Sequence, residues 1–250
     1  MARRLFRCQI QEIKRLDEGL VILRFKPQVA FNFEPGQFTS LEVPGLHKDQ
    51  ETVWRAYSFA LPYELSREHG YELCIKQLKG GRAGSYLDTL KEGDWIRVRA
   101  AYGDFTFHSG QGRGVCFIGT GTGVAPLRSM ALSRQFQKAD LSFGLAVLGY
   151  RVLGEVPYIG DFERMGITTI YSLSREKIPL EYPFAHGRVT DVLKQMRADF
   201  PWSGTDYYIC GNPDMIREVV QFLLQKGVPA AQIMSEAFES SSSATGSQAA

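Results

Sequence analysis

The chain has 250 residues, with 29 basic against 27 acidic side chains and a formal net charge of +2. That near-balance removes any general electrostatic case for wrapping nucleic acid or coating an anionic membrane, so any basic patch has to be local. No apolar run reaches the roughly 18 residues of a membrane helix, the opening MARRLFRCQI has no long apolar core, and the four cysteines form no CxxC pair. A membrane span, a secretory leader, a zinc knuckle and a local iron–sulfur ligand cluster are therefore not expected, no metal site is assigned, and the cytoplasm is the expected compartment.

Up to about residue 108 the signals are short β-type runs broken by turns: FRCQIQEIKRL, LVILRFKP, GQFTSLEV, RAYSFA, YELCIKQL and WIRVRAAYG. This spacing predicts an antiparallel barrel or sandwich, interrupted by one short helical piece, GSYLDTL. The Gly-rich HSGQGRG, residues 108–114, is the expected domain boundary. Beyond it strand-like VCFIG, LSFGLAVLGY, TTIYSL and DYYIC alternate with helix-like APLRSMALSRQFQ, VPYIGDFERM, VTDVLKQMRADF and PDMIREVVQFLLQKG. That alternation predicts a parallel α/β sheet. The final SSSSATGSQAA is too small and polar to pack and is expected to be a disordered tail over 240–250.

The stretch GTGTGVAPLRSM, residues 119–130, leaves the first strand of this α/β half and enters a helix. A glycine turn there lets backbone N–H groups approach a diphosphate while the helix N-terminus adds partial positive charge. Gly119, Gly121 and Gly123 supply that approach, Thr120 and Thr122 can add hydroxyl donors, and Pro126 is tolerated in a first helical turn. Taken alone, the same glycines read equally well as a tight strand-to-helix turn.

In the first half, RAYSFA sets Arg55 and Tyr57 on one face of a strand, beside Ala56 and Ser58. A cation next to an aromatic suits a ligand with a phosphate and a flat ring system. By itself the pair reads as an ordinary exposed couple. Further on, GGRAGSYL offers a second glycine turn where Gly84, Ser85 and Tyr86 present N–H groups to another phosphate. Two phosphate-capable turns in two halves suggest two nucleotides.

The ordered series RAYS, GRAGSYL, AAYGDFTF, GTGTGVAPLRSM, SLSRE, HGRV, YICGNPDM and SEAF resembles the ferredoxin-NADP reductase superfamily over about residues 4–239. Within it the chain is most similar to the single-chain bacterial ferredoxin or flavodoxin NADP reductases. The resemblance implies two domains: an antiparallel FAD-binding β-barrel over 1–108 and a parallel-sheet α/β domain binding NADP over 109–239. It further implies that Arg55 pairs with a flavin phosphate, Tyr57 packs on the isoalloxazine, Ser58 hydrogen-bonds near N5, and Gly84, Ser85 and Tyr86 hold the diphosphate. Phe238 matches the late aromatic that covers the other flavin face, although relatives carry Tyr or Trp there; AAYG replaces a Gly-Pro pair. Gly119, Thr120, Gly121, Thr122 and Gly123 match the turn that receives the NADP diphosphate, and Gly211 lies in the nicotinamide segment CGNP. Ser58, Cys210 and Glu236 are the implied catalytic residues, the last two lining the nicotinamide side.

A 2′-phosphate calls for planar cationic donors, whereas a 2′-hydroxyl prefers a carboxylate. Arg175 in SLSRE, Arg188 in HGRV and Arg151 in LGYR supply such donors, Ser174 adds a hydroxyl beside them, and together they favour NADP(H), with Glu176 a partner that would blunt Arg175. The expected function is hydride exchange between NADP(H) and FAD, with single electrons passed to or from a separate acidic ferredoxin or flavodoxin. The basic residues at 2–4, Lys76, Lys79 and Arg82 are candidates for its docking surface. The alternatives are an oxygenase reductase component, a free-flavin reductase, FMN in place of FAD, and a non-catalytic redox-sensing subunit.

Overall fold

Six strands build the first half: β1 (Leu5–Leu16), β2 (Leu20–Pro27), β3 (Phe38–Val43), β4 (Val53–Ser58), β5 (Tyr71–Lys76) and β6 (Trp95–Tyr102). They come from a computed structural model that describes residues 4–16, 19–45, 50–78, 80–108, 110–176 and 183–238. Every pairing is antiparallel, in the order β4-β3-β6-β1-β2-β5, and a bridge between Phe59 and Leu73 brings the two ends of the sheet together. Period-2 alternation sends Phe6, Cys8 and Ile10 of β1 inward to meet Leu23, Phe25, Leu41, Phe59, Leu73 and Val98.

Two helices interrupt the strands, one more than the sequence suggests. Helix α1 (Tyr63–His69) begins after Pro62, ends at Gly70 with φ +89°, and buries only Ser66, so no apolar stripe announced it. Helix α2 (Arg82–Thr89) starts at Arg82, two residues ahead of the expected GSYLDTL.

The second half contains β7 (Arg113–Thr120), α3 (Val124–Ala131), α4 (Arg134–Gln137), β8 (Leu141–Tyr150), β9 (Thr168–Leu173), β10 (Phe184–His186), α5 (Val189–Lys194), β11 (Thr205–Gly211), α6 (Pro213–Gln225) and β12 (Ile233–Ala237). All pairings are parallel in the order β10-β9-β8-β7-β11-β12. Both faces are covered: Val115 and Phe117 of β7 face one apolar layer, Cys116 and Ile118 the other. The expected helix over VPYIGDFERM is absent. Pro157, Tyr158 at φ +60° and Gly160 at φ +85° break it, leaving one 3₁₀ turn within it, Glu163–Met165, and another just before it, Leu153–Glu155. The expected helix over APLRSMALSRQFQ divides where the Ser133 hydroxyl accepts the Phe136 amide and caps α4.

The segment joining the sheets packs with the second core through Phe105 and Phe107, and the His108 amide donates to the Tyr208 hydroxyl at 2.7 Å. Leu20, Ile22, Ala60 and Cys74 of the barrel meet Ala125 of α3 in a small apolar cluster across the seam. Among the described residues no helix is long and apolar enough to cross a membrane. The expected Ser-rich tail over 240–250 lies outside the described residues.

Candidate functional site

The parallel sheet winds one way from β7 to β8 and the other way to β11, so β7 and β11 flank a topological switch point. A crevice opens at the carboxyl ends of strands at such a point. Cys210 of β11 pairs in register with Gly119 of β7 and with Glu236 of β12, so three strand ends converge there. A cavity of about 700 Å³ lies over them, lined by Thr120, Gly121, Thr122, Arg151, Ser174, Arg188, Gly211 and Asn212.

The glycine turn divides its labour. Gly121, at φ +56° with open space around it, faces the cavity together with Thr120 and Thr122. Gly123 is there for packing, since a Cβ would sit 2.3 Å from the Cys210 carbonyl oxygen; one on Gly119 would meet Leu127 at 2.9 Å. Gly211, at φ +138°, lets the neighbouring strand end approach Thr120, whose hydroxyl accepts the Asn212 amide at 3.1 Å. Both sequence readings of the turn are therefore true, of different residues.

Arg188 and Ser174 are exposed on this cavity. Arg151 borders it too, with its guanidinium on the Glu155 carboxylate, which Lys76 and Arg151 hold down at about 2 against the cost of burial. Arg175 lies in an adjoining hollow with Ser174, His186 and Gly187. Glu176 does not pair with it: that carboxylate accepts the Leu153 amide.

A second cavity of about 470 Å³ runs along the barrel and is lined by Phe38, Arg55, Ala56, Tyr57, Ser58, Arg82, Ala83, Gly84, Glu236 and Phe238. Burial pushes the Tyr57 phenol up, with Arg55 pulling it partly back. The α2 turn differs from expectation. The Ser85 amide is spent inside the helix on Gly81 O at 3.0 Å, and neither Ser85 nor Tyr86 lines this cavity. Tyr86 packs against the barrel core instead, leaving Arg82, Ala83 and Gly84 to present the first-turn amides. Gly84 was expected there; only the true start of the helix identifies Arg82 and Ala83.

At the inner end Ser58 of the barrel and Glu236 of the second domain line the same cavity, and Glu236 Oε2 is buried without a hydrogen-bond partner. Burial raises the Glu236 carboxyl to about 7, with the nearby Ser58 hydroxyl acting in the opposite direction. Cys210 does not line either cavity. Its thiol is fully buried in the apolar layer below, because β11 is covered on both faces, and burial raises it far above the usual thiol range.

The two cavities share Lys76, Leu78, Thr122 and Phe238 as common walls. Lys76, expected on a docking surface, sits at this junction 3.1 Å from Glu155, and Leu78 was not singled out at all. Arg82 reaches the Glu51 carbonyl, while residues 2, 3 and 79 lie outside the described residues.

The cavity along the barrel suits a flavin dinucleotide: a cation and an aromatic on one strand face, helix-turn donors, and an orphaned carboxyl oxygen at the end near Ser58. The cavity over the glycine turn suits a nicotinamide dinucleotide, with a glycine turn at a switch point and exposed arginine beyond it.

A family model for the oxidoreductase FAD-binding domain matches residues 7–107, and one for the oxidoreductase NAD-binding domain matches residues 117–221. The reductase component of propane 2-monooxygenase from Mycolicibacterium smegmatis is 28% identical over 246 residues, which are 94% of this chain and 68% of that protein. The chain thus spans about two thirds of that relative's length. Among solved structures, the cytochrome P450 reductase of Amycolatopsis superposes with a TM-score of 0.80 at 25% identity, covering 94% of this chain and 70% of that one. A ferredoxin NADP+ reductase from Neisseria gonorrhoeae with bound FAD and NADP shares the fold, with a TM-score of 0.79 at 20% identity over 95% and 99% of the two chains. With an antiparallel FAD-binding domain followed by a parallel-sheet NAD-binding domain, the chain belongs to the ferredoxin reductase superfamily of oxidoreductases.

Proposed function

We propose that this protein is a flavoprotein reductase that takes a hydride from NADPH and delivers electrons singly to a separate acidic redox protein, a ferredoxin or flavodoxin. The observation that carries the reading is the junction of the two cavities, where Thr122 of the glycine turn and Phe238 belong to both. The glycine-turn cavity and the barrel cavity meet at Phe238, close to Ser58 and Glu236, where a nicotinamide held by the turn would reach the flavin site. FAD bound there supplies the conversion between a two-electron donor and a one-electron acceptor.

The chain's own residues position and exclude. Arg55 and the Arg82–Gly84 amides hold phosphate, and Tyr57 packs against the flat ring system. Ser58 lies beside Glu236, whose raised carboxyl carries a proton near neutral pH. Phe238 shields the junction from water until nicotinamide displaces it. Ser174, Arg175 and Arg188 favour the 2′-phosphate, whereas Arg151 is largely engaged by Glu155.

For the acidic partner we place the docking surface on the outward face of the barrel. Arg7 stacks on Trp95 at 4.4 Å and Arg99 on Trp54 at 3.8 Å, with Arg97 between them in register opposite Arg7. The face continues along β4 through exposed Ala56 to Ser58. A second reading, the reductase component of an oxygenase, is favoured by the propane 2-monooxygenase relative.

The visible spectrum of the purified protein, followed anaerobically with NADPH and separately with NADH, tests the proposal. Bleaching of a flavin band, faster with NADPH, is expected. A flavin band that ignores both nucleotides, or that bleaches without turnover on an artificial acceptor, overturns it in favour of a redox-sensing subunit. Comparing reduction of a ferredoxin, a flavodoxin and an oxygenase component separates the two catalytic readings.

A further inference from the structure

Helix α3 carries a single charged residue, Arg128, and every other position of the helix is buried. The guanidinium of Arg128, itself only 11% exposed, has three acceptors, two of them across the seam. Its Nη1 donates to the Ala60 carbonyl at 2.7 Å and to Glu72 Oε1 at 3.1 Å, both in the barrel domain, and its Nε donates to Asp161 of its own domain. The plane lies over the Tyr158 ring at 4.0 Å. The other oxygen of Glu72 is held by Arg24 at 2.6 Å, Arg24 also binds Glu12 at 2.7 Å, and Asp161 also binds Arg164. Opposite charges therefore alternate along one chain, Glu12, Arg24, Glu72, Arg128, Asp161, Arg164, which passes through the domain boundary.

We propose that Arg128 is a positioning residue that fixes the register of the nucleotide turn against the barrel. Its two ends lie close to the chemistry. Ala60 is two residues beyond Ser58, and Arg128 is six residues beyond Thr122, about 9 Å along a helix. The apolar contact beside it, Ala125 on Leu20, Ile22 and Ala60, is built from small and aliphatic groups and is non-directional. A buried planar guanidinium with three fixed acceptors does have direction, and a buried ion pair is better evidence for geometry than for stability. Lysine keeps the charge but cannot serve three acceptors in one plane.

The kinetic consequence rests on the reductase reading; the mechanical one does not. A misplacement of about 1 Å between reacting groups costs on the order of a hundredfold in rate. The test compares the wild-type holoenzyme with Arg128→Lys and Glu72→Gln by flavin content, NADP+ affinity, anaerobic bleaching by NADPH, and amide hydrogen exchange. Expected are full flavin content, nucleotide affinity within about threefold, and bleaching slowed about tenfold or more. Exchange should be faster around Ala60 and α3 and unchanged in the barrel core. Bleaching within about threefold of wild type, or slowed only in proportion to lost flavin or affinity, overturns the proposal. Unchanged exchange at the seam overturns it as well. Should wild type itself ignore both nucleotides, the reductase reading falls, and exchange at the seam alone decides whether Arg128 is a clamp.

Discussion

Glu236 is the residue whose sequence gave least notice of its setting. Near a polar C-terminus a glutamate is ordinarily solvated, yet parallel pairing of β12 on β11 brings it beside Ser58, with its carboxyl raised from 4.5 to about 7. Between these values the native protein holds a proton that the unfolded chain has released. The stability so contributed is complete below about 4.5 and lost as pH rises through 7. Glu236→Gln is expected to be more stable than wild type at pH 8 by about 1–2 kcal/mol in denaturant titrations, and level with it at low pH. The same substitution should erase an inflection near pH 7 from the turnover profile. Arg188 and Arg175 were legible as donors but not as unequal ones: only Arg188 lines the main cavity. Arg188→Ala is expected to weaken NADPH about tenfold, or 1.4 kcal/mol, with NADH unchanged and a smaller effect for Arg175→Ala, measured by titration.

Among the elements, strands and the glycine turns were the most legible. Alternation in β1 and the covered runs of β7 and β11 follow from which faces are buried, and those periods survive into the fold. Helix α6 starts at Pro213, where the expected helix-like run begins, and the Asn212 side chain caps it by accepting the Asp214 amide at 2.8 Å. Helix bounds were less legible, because a single hydroxyl cap at Ser133 or a glycine at positive φ decides them. The turn glycines can be told apart by substitution. Gly121→Ala keeps its space but strains φ, costing about 1–2 kcal/mol. Gly123→Ala drives a Cβ into the Cys210 carbonyl and is expected to cost about 3 kcal/mol, with loss of nucleotide binding. Urea midpoints and NADP+ titration of the two variants check the order.

At the scale of the molecule, near-neutral net charge concealed how the charges are sorted. Arginines that are scattered along β1 and β6 meet on one outward face with Trp54 and Trp95, whereas Lys76 turns inward to Glu155. Reduction of an acidic acceptor protein is therefore expected to slow about tenfold or more between roughly 0.01 and 0.5 M salt. An Arg7→Glu, Arg99→Glu double variant should flatten that dependence while its turnover on a neutral quinone stays at the wild-type level. A double variant that keeps the wild-type salt slope would move the docking surface elsewhere.

The sequence by itself determined the two-domain order, the classes of the two sheets, and the glycine turn and the RAYS strand that border the two cavities. These are encoded locally: period-2 alternation, glycine turns after strands, and short motifs whose residues reach one face together. Tertiary structure decided everything that depends on contacts distant in sequence. It set the proton affinity of Glu236, the withdrawal of Cys210 and Ser85 from the cavities, and the sorting of basic residues into cleft, surface and seam. It also joined Arg128 to Glu72, 56 positions apart. Desolvation and ion pairing depend on what packs against a group in space, and no local pattern in the chain carries that information.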